Sequence, residues 1–348
     1  MQITQVRAGF GAAVLTLALG SMSAPAAKAD TAADFYKGKN VTINIGFGAG
    51  GGYDTYARVL ARHYGRHISG RPNVIPRNMP GSGALRAANY VYSAAKKDGT
   101  EMALVGASTL MEPLFGNKKA LFESTKFTWI GSMSQDVAFC GIWKTAGIAS
   151  MDQWLKSGKQ LTFGATGPAA ITAQHPKIIA AISGVKAKVL TGYKGTKDVN
   201  LAMQRGEVDG TCGLFTSSIQ AQYQRFVDSK EMTLVIQGGA STTDVFGKVP
   251  SVFDFAKDDT ERKVLEVHFG QLLLGRPFVA TPGMPADRAK ALQQGFLAAL
   301  KDEKLLADAK KTRISIEAVS AEEAIKLLLS FGNYPKSAID AAKKAIGR

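Results

Sequence analysis

The stretch Ile43-Asn44-Ile45-Gly46-Phe47-Gly48-Ala49-Gly50-Gly51-Gly52-Tyr53-Asp54 decides how the rest of the chain reads. An apolar strand over Val41–Phe47 runs into a glycine-rich turn. Beyond the turn Tyr56, Val59, Leu60, Tyr64 and Ile68 recur at the spacing of one helix face. Asp54 reads as the helix N-cap and Gly70 suits its C-terminus. A strand–turn–helix of this kind gathers bare backbone N–H groups at a helix N-terminus, where they hold a carboxylate or phosphate.

The same turn formally satisfies the glycine pattern of dinucleotide-binding proteins. That reading needs an acidic residue about 20 positions downstream to hold a ribose hydroxyl. His67 to Pro72 stand there instead. Capture of a small anion is therefore the better reading than a nicotinamide enzyme.

Working outward, strand and helix patterns alternate along the chain. Val74–Arg77 reads as a short strand, Pro80-Gly81-Ser82-Gly83 as a second glycine turn, and Met102–Val105 as a strand followed by Ser108 and Thr109. Val137–Trp143 reads as a strand crossing between units. Leu161–Gly164 enters a third turn, Ala165-Thr166-Gly167-Pro168, ahead of a helix ended by Gly184. Lys188–Leu190 leads to the loop Gly192-Tyr193-Lys194-Gly195, and Asp198 reads as the cap of a short helix ending at Gly206. Strands over Val208–Phe215 and Thr233–Ile236 follow. The tail reads as helices, one begun by Pro285, one by the capping box Ser320-Ala321-Glu322-Glu323, and one after Asn333 and Pro335. Repeated units of this kind predict α/β sheets with helices on both faces, with ligands at the carboxyl ends of the strands.

The N-terminus carries Arg7, an apolar run from Ala8 to Gly20 and small-x-small sites at Ala24–Ala26 and Ala27–Ala29. This is the pattern of an export signal, with cleavage expected after Ala29 and a periplasmic location. The apolar run falls short of the roughly 20 residues that span a bilayer. Formal net charge is +15, and Arg7 and Lys28 would leave with the signal. Lysines and arginines are scattered and no nucleic-acid motif appears, so the basic balance points to anionic small molecules rather than nucleic acid. The two cysteines, Cys140 and Cys212, are compatible with a disulfide in an oxidising compartment or with two buried thiols.

Taken in order, several blocks of the chain resemble the extracytoplasmic solute receptors of tripartite tricarboxylate transporters, the Bug-type or TctC-type family. The first is Ile45–Asp54 followed by Ala57-Arg58. The second is Asn78-Met79-Pro80-Gly81-Ser82-Gly83 with Lys97-Asp98-Gly99-Thr100. The third is Phe163–Gly167 with Tyr193-Lys194-Gly195 and Gly206-Glu207-Val208-Asp209. The last is Pro277-Phe278-Val279-Ala280 with Pro282-Gly283-Met284-Pro285-Ala286. The resemblance covers nearly all of the chain beyond the signal. Gly46 and Gly48 depart from the prolines frequent in the family's first turn.

The resemblance implies a two-lobed periplasmic-binding-protein fold of the Venus-flytrap kind, α/β and type II-like. Lobe 1 would be 30–136 plus 237–348 and lobe 2 would be 137–236, with hinge crossings near Val137 and Gln237. It also implies a carboxylate held mainly by backbone amides and small hydroxyls. On this chain the first loop is Phe47, Ala49, Gly50, Gly51, Gly52, Tyr53 and Asp54. The facing loop is Thr166, Gly167 and Thr172, supported by Tyr193 and Lys194, with Ser108 and Thr109 as further candidates. The partners implied are the large and small membrane subunits of such a transporter, with the receptor acting as a monomer.

No catalytic group, cofactor or metal is expected. His63 and His67 are four apart on one helix face but lack a third ligand, so they read as a solvated face. Gly81-Ser82-Gly83 lacks the spacing of a nucleophile elbow. The alternatives are a ligand-sensing periplasmic protein acting on a signalling receptor and an exported hydrolase.

Overall fold

The computed structural model describes residues 31–348 together with Met1, Gln2 and Thr4. Apart from those three residues, the export signal read over 1–29 lies outside the described residues. Among the described residues the strands are β1 (Asn40–Ile45), β2 (Asn73–Asn78), β3 (Glu101–Leu104), β4 (Thr128–Ser132), β5 (Ala138–Trp143), β6 (Gln160–Ala165), β7 (Lys186–Thr191), β8 (Gly210–Phe215), β9 (Met232–Gly238), β10 (Pro277–Ala280) and β11 (Val319–Ser320).

They form two sheets. The first has six strands in the order β11-β4-β10-β3-β1-β2, and the second has five in the order β7-β6-β8-β5-β9. In the first sheet β1 pairs in parallel with β2 and β3, while β10 runs antiparallel to β3 and β4. In the second, β6 is parallel to β7 and β8, and β5 is antiparallel to β8 and β9. The parallel pairs follow from the strand–turn–helix units, because a helix must carry the chain back before a parallel strand can form.

The sheets are held by their apolar strand residues. Val41, Ile43 and Ile45 of β1 and Met102 and Leu104 of β3 are fully buried, packed against Tyr56, Val59 and Leu60 of the helix Gly52–Tyr64. In the second sheet Phe163 of β6 and Trp154 meet Ile178 and Ile182 of the helix Ile171–Ser183. Cys140 on β5 and Cys212 on β8 form a disulfide between adjacent antiparallel strands.

The chain leaves the first sheet after Ser132, enters the second at Ala138, and leaves it after Gly238 to return at Pro277. Between Gly238 and β10 lies the helix Asp259–Gly270, begun by Asp258, whose carboxylate accepts from the Glu261 N–H. This helix packs on the C-terminal helix Lys336–Ala345, and both lie against the helix Ile171–Ser183 of the second lobe. Ser320 and Glu323 make the capping box read from sequence, and Pro285 stands just before the helix Ala286–Ala299. Two caps differ from their sequence reading. The helix after the opening turn starts at Gly52 with Gly51 as its cap, and Asp54 reaches back to the Gly50 N–H at 2.8 Å. The short helix Thr196–Gln204 is capped at Gly195, which leaves Asp198 in its first turn. In both places glycine reaches the extended cap geometry and moves the start of the helix upstream of the acidic residue.

Candidate functional site

Loops from the carboxyl ends of β1, β3, β6 and β8 meet between the two sheets around an enclosed cavity. Its lining from the first lobe is Phe47, Gly51, Gly52, Tyr53, Gly106 and Ser108. From the second lobe it is Thr166, Ala170–Thr172, Gly195, Thr196, Gly213–Phe215 and Ser218, with Arg276 completing the wall. The water-accessible space inside is about 30 Å3, room for about two waters. A ligand must therefore be compact, or the lobes must part slightly to admit it.

Three helices aim their N-termini at this cavity. Gly51 and Gly52 open Gly52–Tyr64, Ala170 to Thr172 open Ile171–Ser183, and Gly195 and Thr196 open Thr196–Gln204. The first N–H groups of each helix have no intrahelical acceptor and sit at the positive end of the helix dipole. Their convergence makes the cavity electropositive without lysine side chains. Glycine at Gly52 is required by space, because a side chain there would begin 2.5 Å from Ser218 Oγ.

The lobes are closed on one another around the cavity. The Gly48 N–H donates to the Lys194 carbonyl at 2.7 Å, and Ser108 Oγ donates to the Ala169 carbonyl at 2.7 Å. A Cβ on Gly167 would lie 2.2 Å from the Gly83 nitrogen, so the turns at 81–83 and 165–168 touch through bare backbone.

The residues singled out from sequence fall into two groups. Phe47, Gly51, Gly52, Tyr53, Ser108, Thr166 and Thr172 line the cavity. Phe47 and Tyr53 stack with ring centroids 4.2 Å apart, and the Thr172 hydroxyl accepts from the Thr166 N–H at 3.1 Å. The others shape its rim. Ala49 and Gly50 are exposed on the turn. Asp54 fastens the turn through Gly50, Arg58 and Asn78. Burial raises its pKa, but those hydrogen bonds and the Arg58 charge outweigh burial and hold it below the ordinary value. Thr109 donates to the Gly83 carbonyl. Gly167 and the backbone of Lys194 make contacts between lobes, and Tyr193 is half-buried beside Gly164.

Arg276 is the residue the sequence reading passed over. It is fully buried just before β10, and its guanidinium carbon lies 4.8, 4.1 and 4.7 Å from the ring centroids of Tyr53, Tyr56 and Phe215. Nη2 donates to Ser218 Oγ at 3.0 Å and Ser217 Oγ at 3.3 Å. Ser217 in turn donates to Asp136 at 2.6 Å, at the crossing between sheets. Burial raises the Asp136 pKa against the opposing pull of Arg276. Burial also pushes the Tyr53 phenol up to about 12, again opposed by Arg276, so Tyr53 stays a neutral group at the site. Gly275 makes the approach possible, with φ +52 and no room for a Cβ beside the Ser134 carbonyl. The available signal was a lone cation in the apolar run Leu272-Leu273-Leu274-Gly275-Arg276-Pro277-Phe278-Val279-Ala280, since charges in such runs are buried only for a reason.

His63 and His67 lie elsewhere. His63 pairs with Asp308 at 3.0 Å and His67 with Asp302 at 2.6 Å, joining the helix Gly52–Tyr64 and the turn Gly65–His67 to the helix Glu303–Lys311 and its cap. The face read as solvated is thus partly covered. Among the described residues no group of three or more His, Cys, Asp or Glu is placed to hold a metal.

No protein-family model and no curated protein matches the chain. Solved structures do. One described as the periplasmic binding protein BugD superposes with a TM-score of 0.72 at 17% identity, covering 89% of this chain and 98% of that one. MatC from Rhodopseudomonas palustris, solved with bound malate, gives 0.69 at 16% identity over 88% of this chain and 99% of its own. A further R. palustris protein, solved with adipate, gives 0.67 at 14% identity over 89% and 97%. At such identities the likeness is one of fold, and it is unambiguous. The chain has the two-lobed α/β fold of periplasmic binding proteins, with the cavity in the cleft between lobes.

Proposed function

We propose that this protein is a periplasmic solute receptor of the Bug or TctC type, which captures a small carboxylate between its lobes and delivers it to a tripartite membrane transporter. The observation that carries this reading is the convergence of three helix N-termini on one closed interlobe cavity. Such an arrangement recognises an anion through uncharged amides and releases it when the lobes part. One amide hydrogen bond contributes about 1 kcal/mol net, somewhat more to a charged acceptor, whereas micromolar affinity needs roughly 8 kcal/mol. Several donors from both lobes must therefore act together, and closure is the step that assembles them.

The malate and adipate held by structural neighbours support a carboxylate as the ligand here. In this reading lobe 1 is 30–136 with 237–348, lobe 2 is 137–236, and residues 1–29 direct export. The loops Phe47–Asp54 and Thr166–Thr172 form the two jaws. No step of chemistry on the ligand is required, and the protein acts by binding alone.

The test is a thermal-shift and calorimetric screen of the ligand-stripped protein against small carboxylates, malate and adipate included. A dose-dependent rise in Tm for one class supports the receptor reading. A cooperatively melting protein that responds to no carboxylate would remove it.

A further inference from the structure

Building on the receptor reading, we infer that the guanidinium of Arg276 is the charge anchor of the site, which makes the ligand a compact carboxylate with an apolar body. Three observations converge on this assignment. The first is the guanidinium's lack of a direct ion pair. Arg276 is 0% exposed, yet no carboxylate among the described residues lies within ion-pair distance of it. Its Nε and Nη1 have no hydrogen-bond partner among the described residues. Nη2 is served only by the hydroxyls of Ser217 and Ser218. A buried cation is costly unless paired and hydrogen-bonded, and contact with aromatic rings offsets only part of that cost.

The second is its place. Arg276 and Ser218 both line the cavity, and Nη1 and Nη2 lie 3.4 and 3.3 Å from where a side chain on Gly52 would begin. Gly52 opens the helix whose N-terminus faces the same space. That point is filled by Ser218 Oγ and the guanidinium, so a carboxylate in the cavity at this helix N-terminus borders guanidinium, hydroxyl and backbone amide together. Arginine suits this role because its planar fork donates two parallel hydrogen bonds to one carboxylate.

The third is the composition of the remaining wall. Phe47, Tyr53, Ile171, Leu214 and Phe215 are apolar or aromatic, and the hydroxyl residues Ser108, Thr166, Thr172 and Thr196 stand among them. One fixed cation and mainly apolar walls fit one carboxylate and a hydrocarbon or aromatic body better than three carboxylates. Asp136 reaches the guanidinium only through Ser217. That indirect contact leaves Nε and Nη1 without a partner among the described residues.

The experiment measures binding to the ligand-stripped protein by calorimetry. The panel is short aliphatic and aromatic monocarboxylates, their neutral amides, and malate, adipate and citrate. Arg276→Gln and Arg276→Lys are compared with the unaltered protein. The expected result is binding of a monocarboxylate, no measurable binding of its amide, and a loss of roughly 100-fold or more in Arg276→Gln. Arg276→Lys should retain part of the affinity, since the charge remains but the fork is lost.

Equal binding of acid and amide by the unaltered protein overturns the anchor without relying on any variant that fails to fold. Carboxylate binding that survives Arg276→Gln, or that favours citrate, also overturns it while leaving the receptor reading standing. Absence of binding by any carboxylate removes the receptor reading and this inference with it.

Discussion

The backbone N–H of Gly48 donates to the backbone carbonyl of Lys194 at 2.7 Å, joining the turn after β1 to the loop after β7. The two segments belong to different sheets, so this bond ties the two lobes together. It favours glycine at position 48, because a Cβ there would lie 3.0 Å from both the Lys194 carbonyl carbon and its oxygen. The glycines of the opening stretch therefore serve the contact between lobes as well as lining the cavity.

Gly48→Ala should push these turns apart by a few tenths of an ångström and weaken one hydrogen bond. A net loss near 1 kcal/mol corresponds to about 5-fold weaker binding. The loss should appear as faster dissociation with association little changed, since the open form is unaffected. Stopped-flow kinetics with the ligand found in the screen would check this. A purely slower association would point to a different role for the turn.

Gly167→Val is the sharper version. Its Cβ would lie 2.2 Å from the Gly83 nitrogen and 2.5 Å from the Ser82 carbonyl carbon, which are backbone atoms of the other lobe. Closure is blocked while each lobe keeps its own packing. Affinity should fall by roughly 100-fold or more, with a cooperative melt retained and a larger radius of gyration by small-angle scattering in saturating ligand. Full affinity in a folded Gly167→Val protein would sink the closed-cleft model of binding.

The reach of the sequence differs between these features, for physical reasons. The turn at Gly46–Gly52 and the turn at Ala165–Pro168 were legible because glycine between a strand pattern and a helix pattern has few uses. Asp54 and Asp198 misled as caps because a glycine upstream of each takes the cap geometry instead. Arg276 was legible only as a lone cation in an apolar run, not as part of the site. Its neighbours in the chain are apolar, and its partners Tyr53, Tyr56 and Phe215 come from both lobes. The segment between Gly238 and β10 carries a cap at Asp258 that the pattern does hold, but its packing on the helix Ile171–Ser183 depends on tertiary contacts alone. Nothing in the spacing of Cys140 and Cys212 shows that their strands are neighbours, which only the order β8-β5 in the sheet establishes.

The disulfide closes a separation of 72 residues. Constraining a loop of that length in the unfolded chain is worth about 4 kcal/mol in the entropic model. Replacing both Cys140 and Cys212 with Ser should lower the free energy of unfolding by that order in urea titrations. Ligand affinity at 25 °C should be unchanged, because neither cysteine lines the cavity. Identical urea midpoints for the oxidised and reduced protein would mean that the bond contributes nothing to stability.

A pair of buried histidines should set the acid limit of the fold. His175 stacks on Phe269 at 4.3 Å between centroids, and His268 stacks on Phe115 at 5.1 Å. Burial lowers the His175 pKa to about 3 and the His268 pKa to about 4, with Arg348 adding to the effect at His268 and its bond to the Ala342 carbonyl opposing it. Both lie below the unfolded value of about 6.5. Between these limits the unfolded chain binds more protons than the folded one, so stability rises with pH. The stability is fully present above about pH 6.5 and is lost as pH falls from there toward 4. Well inside that window each histidine costs about 1.4 kcal/mol per pH unit. The nearby Glu112, whose pKa burial raises, acts in the opposite sense and only near and above its own unfolded value. Urea titrations at pH 7 and pH 5 should therefore show a marked loss at the lower pH. The double variant His175→Gln and His268→Gln should show a much flatter pH profile, whatever its absolute stability. A profile in the double variant as steep as in the unaltered protein would place the acid sensitivity elsewhere.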